Sequence, residues 1–210
     1  MTVRQRTLLA LGIWFVAVAA LGTAGGFVGQ PGSPPLPLLF GATLPLAAFL
    51  AAYYGSDGFR TLVLSADLRL LSAIQGWRVT GLGFLALYAN GVLPGVFAWP
   101  AGLGDIAIGL TAPWVALALT RERAFAGTRA FALWNAFGIL DLLVAMSVGA
   151  LSAGFLAGFS GDLTTAPMAR MPLILIPACL VPLFVMLHLT AFFQAAAARG
   201  GRYAARAVPS

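Results

Sequence analysis

The chain has 210 residues, 60% of them hydrophobic and only 9% charged, with a mean hydropathy of +0.95. Soluble domains carry about 25% charged residues, so this composition excludes an ordinary water-soluble enzyme and describes a protein solvated by lipid. All twelve basic residues are arginine and the formal net charge is +6, but the arginines fall in short clusters between apolar runs rather than on one basic face, which argues against nucleic acid as a partner.

A membrane-spanning helix satisfies its own backbone polar groups and needs about 20 apolar residues. Six stretches meet that requirement, at roughly 7–28, 36–54, 70–92, 101–120, 128–149 and 172–196. They predict an all-α polytopic transmembrane bundle built as a single integral membrane domain, 1–210. The first stretch follows Arg4 and Arg6 as a secretory signal would. Its apolar run, Leu8 to Val28, exceeds the ~7–15 residues of a signal core, and it is read as the first span.

Turn-forming residues separate the spans: "GQPGSPP" after the first, "GSDGFR" after the second, "LPGVFAWP" before the fourth and "RERAFAGTR" before the fifth. The stretch "FRTLVLSADLRLL" places Leu64, Leu68 and Leu71 at helical spacing beside Asp67 and Arg69, the pattern of an interfacial helix leading into span three. Arg4, Arg6, Arg60, Arg69, Arg121, Arg123, Arg129, Arg199, Arg202 and Arg206 all fall on one side of a six-span chain, which the positive-inside rule makes the cytoplasm. Both termini are then inside. Arg170 is left outside, in the Gly-rich segment "LSAGFLAGFSGDLTTAPMARMP", which is expected at the membrane surface. Pro45, Pro177 and Pro182 fall within spans two and six and predict kinks there.

Two carboxylates stand in apolar surroundings, Asp105 in "GLGDIAIGL" and Asp141 in "GILDLLVAM". At ~1.5 Å of rise per residue, Asp141 lies about 20 Å from the cytoplasmic start of its helix and Asp105 about 6 Å below the outer surface. An ionised Asp at mid-bilayer costs about 2.5–3.5 kcal/mol on insertion scales, so each should face the bundle interior and hold a proton or a partner. Both segments carry Gly three residues before the Asp and a small residue four after it, on one helical face. That pattern predicts spans four and five packed face to face. A second polar cluster, Arg78, Asn135 and His188, is expected nearer the cytoplasmic interface, with Arg78 snorkelling to the headgroups.

Other chemistries have little to stand on. A single cysteine, Cys179, excludes an internal disulfide and a multi-cysteine metal site. One histidine without an evident second axial ligand argues against haem, and the pair Met168 and Met171 lacks the third soft ligand that Cu(I) would need. No cofactor, no metal and no soluble-type catalytic motif is expected, and the protein is not expected to be an enzyme.

Two resemblances can be drawn from short segments. "WPAGLGDIAIGLTAP" and "PLILIPACLVPLFVMLHL" resemble segments of small, uncharacterised multi-spanning bacterial membrane proteins. That resemblance implies a bacterial inner-membrane setting and brings no activity with it. "GLGD", Gly102 to Asp105, resembles the G-x-G-D signature of intramembrane aspartyl proteases, which implies Asp105 and Asp141 as an acid and base around one water. Here, however, the second aspartate follows the motif rather than preceding it.

The function expected from these residues is binding or translocation of a small solute or proton at Asp105 and Asp141. A non-catalytic accessory or assembly subunit and an aspartyl-protease-like enzyme are the alternatives. The arginine pattern gives a direct test of topology. In a Cys179→Ser background, Ala126→Cys should react with a membrane-impermeant maleimide only from the cytoplasmic side and Ser33→Cys only from the opposite side; the reverse labelling pattern inverts the assignment.

Overall fold

The computed structural model describes residues 1–30, 33–153 and 163–206. Among these residues every regular element is helical, and six helical stretches are long and apolar enough to cross a membrane: Val3–Thr23, Leu36–Gly55, Leu68–Ala89, Gly95–Arg121, Arg129–Ser152 and Ile176–Ala198. The protein is an all-α, multi-pass bundle. Its outer faces carry exposed Phe40, Leu44, Leu133 and Trp114, side chains suited to acyl chains rather than water.

Local sequence sets the helix ends. Helix α1, Val3–Thr23, opens on a capping box in which Thr2 and Gln5 exchange hydrogen bonds. Helix α2 is Leu36–Gly55, entered through prolines at Pro34 and Pro35. The short α3, Asp57–Leu64, is capped by Ser56 and packs against α2 and the last helix. The helical spacing expected across "FRTLVLSADLRLL" is interrupted: Leu64 ends α3, and Leu68 and Leu71 belong to the next helix. Asp67 then caps the next helix through the Arg69 backbone N–H at 2.9 Å. The Arg69 guanidinium also donates to Asp67 and holds its carboxyl down at about 2.

Span three is not one continuous α-helix. It comprises α4, Leu68–Ile74, a 3-10 stretch, Gln75–Gly81, and α5, Leu82–Ala89. In a 3-10 helix side chains three apart eclipse, and the buried residues of this stretch are Gln75, Arg78 and Gly81. One polar edge therefore faces the bundle. Against it lies the longest helix described in full, α6, Gly95–Arg121, which runs through Pro100 and Pro113. The contact is backbone to backbone: a Cβ on Gly109 would collide with the Val79 nitrogen and the Arg78 carbonyl carbon, and one on Gly102 would lie 3.1 Å from the Gly81 oxygen.

Helix α7, Arg129–Ser152, follows the cap Thr128 and packs against α6. Span six begins as a π-turn, Ile176–Leu180, around Pro177 and continues as α8, Val181–Arg206, with Pro182 in its first turn. A π-turn absorbs the backbone disruption that Pro177 causes. Between α7 and span six, residues 154–162 lie outside the described residues, so the surface placement expected for this segment is described only in part. Its far end folds inward: Thr165 donates to the Gly149 carbonyl at 2.6 Å, and Met168 and Ala169 are buried. Met168 packs with Phe84, Leu93 and Phe97.

Two positional expectations need correction. Span four starts at Gly95, six residues before the expected 101, directly after Pro94 in extended conformation, because lipid penalises the unpaired backbone that a later start would leave. Asp105 is thus about ten residues in, or about 15 Å along the axis, rather than about 6 Å. The shared-face expectation for Gly102, Asp105 and Gly109 also changes. Spans four and five do touch, but Gly102 and Gly109 serve the contact with span three, while Gly104 receives Asp141.

A methyl group at Gly109 would have to displace backbone atoms. Gly109→Ala is expected to destabilise the protein by about 1–3 kcal/mol, whereas Gly83→Ala, with open space around it, should leave stability unchanged or slightly raised. Unfolding curves in detergent for the two variants check the difference.

Candidate functional site

The centre of the bundle is organised by Arg78. The 3-10 stretch rises about 2.0 Å per residue instead of 1.5 Å, which carries Arg78 deeper than an α-helical count places it. Its side chain is fully buried, and the expectation that it snorkels to the headgroups is wrong. A guanidinium this deep needs acceptors more than it needs water, and three other helical spans supply them.

Arg78 Nε donates to Asp105 Oδ1 of α6 at 2.7 Å. Nη2 donates to Asp141 Oδ2 of α7 in a short ion pair. Nη1 donates to the Gly138 carbonyl at 3.2 Å and lies 3.4 Å from His188 Nε2 on α8. Arginine has no acceptor, so His188 Nε2 accepts and its Nδ1–H donates to Asn135 Oδ1 at 2.9 Å. Asn135 Nδ2 in turn donates to the Phe131 carbonyl at 2.8 Å. The guanidinium carbon also stands 5.9 Å from the Phe184 ring centroid, within cation–π range.

Glycines make room for this network. A Cβ on Gly104 would sit inside the Asp141 carboxylate, and one on Gly138 would sit inside the His188 ring. The Trp134 ring meets His188 edge-on at 5.4 Å, and its indole N–H donates to Thr111 Oγ1 at 2.9 Å. The imidazole is thus fixed by Arg78, Asn135 and Trp134.

The two polar groupings expected separately, Asp105 with Asp141 and Arg78 with Asn135 and His188, form one connected network. Their separation was an error of depth: Asp105 is deeper than expected, and Arg78 bridges what remains. Sequence reasoning also missed Gln75, which eclipses Arg78 on the 3-10 stretch and donates to the Phe184 carbonyl at 3.3 Å. The signal was available, since "QGWRVTG" repeats Gln, Arg and Gly at the three-residue period of a 3-10 turn.

The carboxylates differ in what they face. Asp105 retains 16% side-chain exposure and Asp141 only 7%. Asp105 lines a cavity of about 430 Å³, walled by Phe97, Met146 and Ile176 and bounded on the side away from the arginine-rich loops by Phe27–Gln30 and Thr164–Arg170. A smaller void of about 40 Å³ adjoins it, lined by Asp105, Arg78 and Phe184. Among the described residues Asp141 lines neither. The residues that a metal ion would need, three or more His, Cys, Asp or Glu in one group, are not gathered anywhere among the described residues.

Residues 35–196, which include every member of the network, match a family defined by a domain of unknown function, DUF8737. The chain belongs to the DUF8737 family. Its matched region begins immediately before α2 and omits α1, of whose side only Val18 and Gly22 are buried. No curated protein and no solved structure matches the chain.

Because one cation serves two carboxylates, Arg78→Met should be far more damaging than the loss of one surface charge, by about 3–5 kcal/mol. Arg78→Lys should recover little of it, since a single ammonium cannot reproduce the guanidinium fork. Replacing all three charges together, Arg78→Met with Asp105→Leu and Asp141→Leu, should restore most of the stability. Unfolding in mild detergent with increasing SDS measures all three variants.

Proposed function

We propose that this DUF8737 protein is a bacterial inner-membrane protein that binds, and passes across the bilayer, a small solute or proton at the interior carboxylate site. The observation that carries this reading is that Asp105 lines the cavity. A carboxylate in a bilayer is costly, and structural glue has no reason to present one to a cavity of ligand-binding size. Charge supports the same reading. One guanidinium faces two carboxyl groups, so the cluster lacks one positive charge, which a proton or a cationic group can supply. The broken span three and the π-turn of span six lie beside the site, as interrupted helices do in many carriers.

A structural role suits part of the network. Asp141, Asn135 and His188 are bonded to protein and do not line the cavity, as an assembly or accessory subunit would require. Asp105 is the residue that this second reading leaves unexplained. The protease reading loses support, because Arg78 takes an oxygen of each aspartate where an acid–base pair would share a water.

In proteoliposomes carrying a pH gradient or a solute gradient, the parent protein should dissipate the gradient, and Asp105→Asn should slow dissipation by about tenfold or more, the size of effect expected for loss of an essential acid–base group. Asp141→Asn should weaken it through misplacement of Arg78. Dissipation unchanged by Asp105→Asn, or absent in the parent, would contradict the reading.

A further inference from the structure

We infer that the cavity takes a lipophilic monocationic amine, held by its ammonium on Asp105 Oδ2 and bound in exchange for a proton. This rests on the reading of the site as a solute- or proton-binding one and names the solute class. The walls decide the body of the ligand. Phe97, Met146, Met168 and Ile176 offer apolar surface, against which the hydroxyls of a sugar or the zwitterion of an amino acid would be left without partners. The volume of about 430 Å³ lies within the ~300–1,000 Å³ of drug-sized sites.

Asp105 decides the polar end. Asp105 Oδ1 accepts from Arg78 Nε, whereas Oδ2 accepts no hydrogen bond from any described residue. Arg78 itself is poorly placed to draw an anion, because Nε, Nη1 and Nη2 are already directed at Asp105, Gly138 with His188, and Asp141. A carboxylate bound at Asp105 would find no free donor on Arg78 and would leave the cluster with a net negative charge among apolar walls. An ammonium would instead find a free acceptor and complete the charge balance, giving a charge-assisted hydrogen bond.

The proton enters by the same count. The groups facing Asp105 are Arg78 from span three, Asp141 from α7 and, behind Arg78, His188 from α8, while the exposed Arg170 lines the same cavity. With Oδ2 protonated, the site is neutral and empty. An entering R–NH₃⁺ replaces that proton, which leaves as H⁺, so one positive charge enters and one departs. Amine and proton are then competitors for one oxygen, and by linkage each weakens the binding of the other.

The test uses the full chain in nanodiscs and equilibrium dialysis against three probes that share one fluorophore: dansylcadaverine, its neutral N-acetyl derivative and the anionic dansyl-6-aminohexanoate, with empty nanodiscs subtracted. The amine should bind about tenfold or more tighter than the acetylated probe, as a charge-assisted bond implies, and the anion should bind weakest. Amine affinity should fall by up to about tenfold per unit as pH is lowered through the titration of the site, while binding of the acetylated probe stays flat. Asp105→Asn should bring the amine down to the level of the acetylated probe, and Asp105→Glu should restore its preference.

Equal binding of amine and acetylated probe, or strongest binding of the anion, overturns the inference. If that binding disappears when Ala150→Phe fills the cavity, the solute-binding reading itself survives. Binding of none of the three overturns the inference while leaving proton passage to stand or fall by the liposome measurement. The probe comparison and its pH dependence are made on the unaltered protein and do not depend on any variant folding.

Discussion

A single buried guanidinium shared between two carboxylates is the constraint around which this bundle is arranged. Neither partner could remain in hydrocarbon alone. Arg78 joins span three to α6 through Asp105, to α7 through Asp141 and Gly138, and to α8 through His188. Four spans are therefore held at one level by one side chain. The glycines at 81, 102, 104, 109 and 138 follow from this, because each marks a place where backbone or a side chain of the network approaches closely where a Cβ would stand.

Much of the fold could be read from hydropathy. Lipid forces each spanning segment to close its own backbone hydrogen bonds, so an apolar run of sufficient length has few structures open to it. Six runs became six helical stretches long enough to span, and the caps at Thr2, Ser56, Asp67 and Thr128 lie where short polar side chains precede the helices. Proline misled at span four, since Pro100 sits inside a helix that Pro94 begins.

The aspartates at 105 and 141 stood out because a carboxylate in lipid needs a reason to be there. Their partner did not, for two physical reasons. Arginine near a helix end has two outlets, outward along its aliphatic stem or inward to an anion, and sequence spacing does not choose between them. Depth was also counted at α-helical rise through a segment that is 3-10. The cavity was beyond reach altogether, since its walls come from residues as distant along the chain as Phe27, Phe97 and Met168. The difference in what Asp105 and Asp141 face depends on that cavity.

The 3-10 stretch from Gln75 to Gly81 places an unusual demand on chain length. At about three residues per turn, one inserted or deleted residue upstream of Arg78 in this stretch swings its side chain by about a third of a turn, away from both acids and toward acyl chains. Loops elsewhere can lengthen or shorten without touching the charge network. Within this turn, the tally of residues is as much a part of the site as the identity of its arginine.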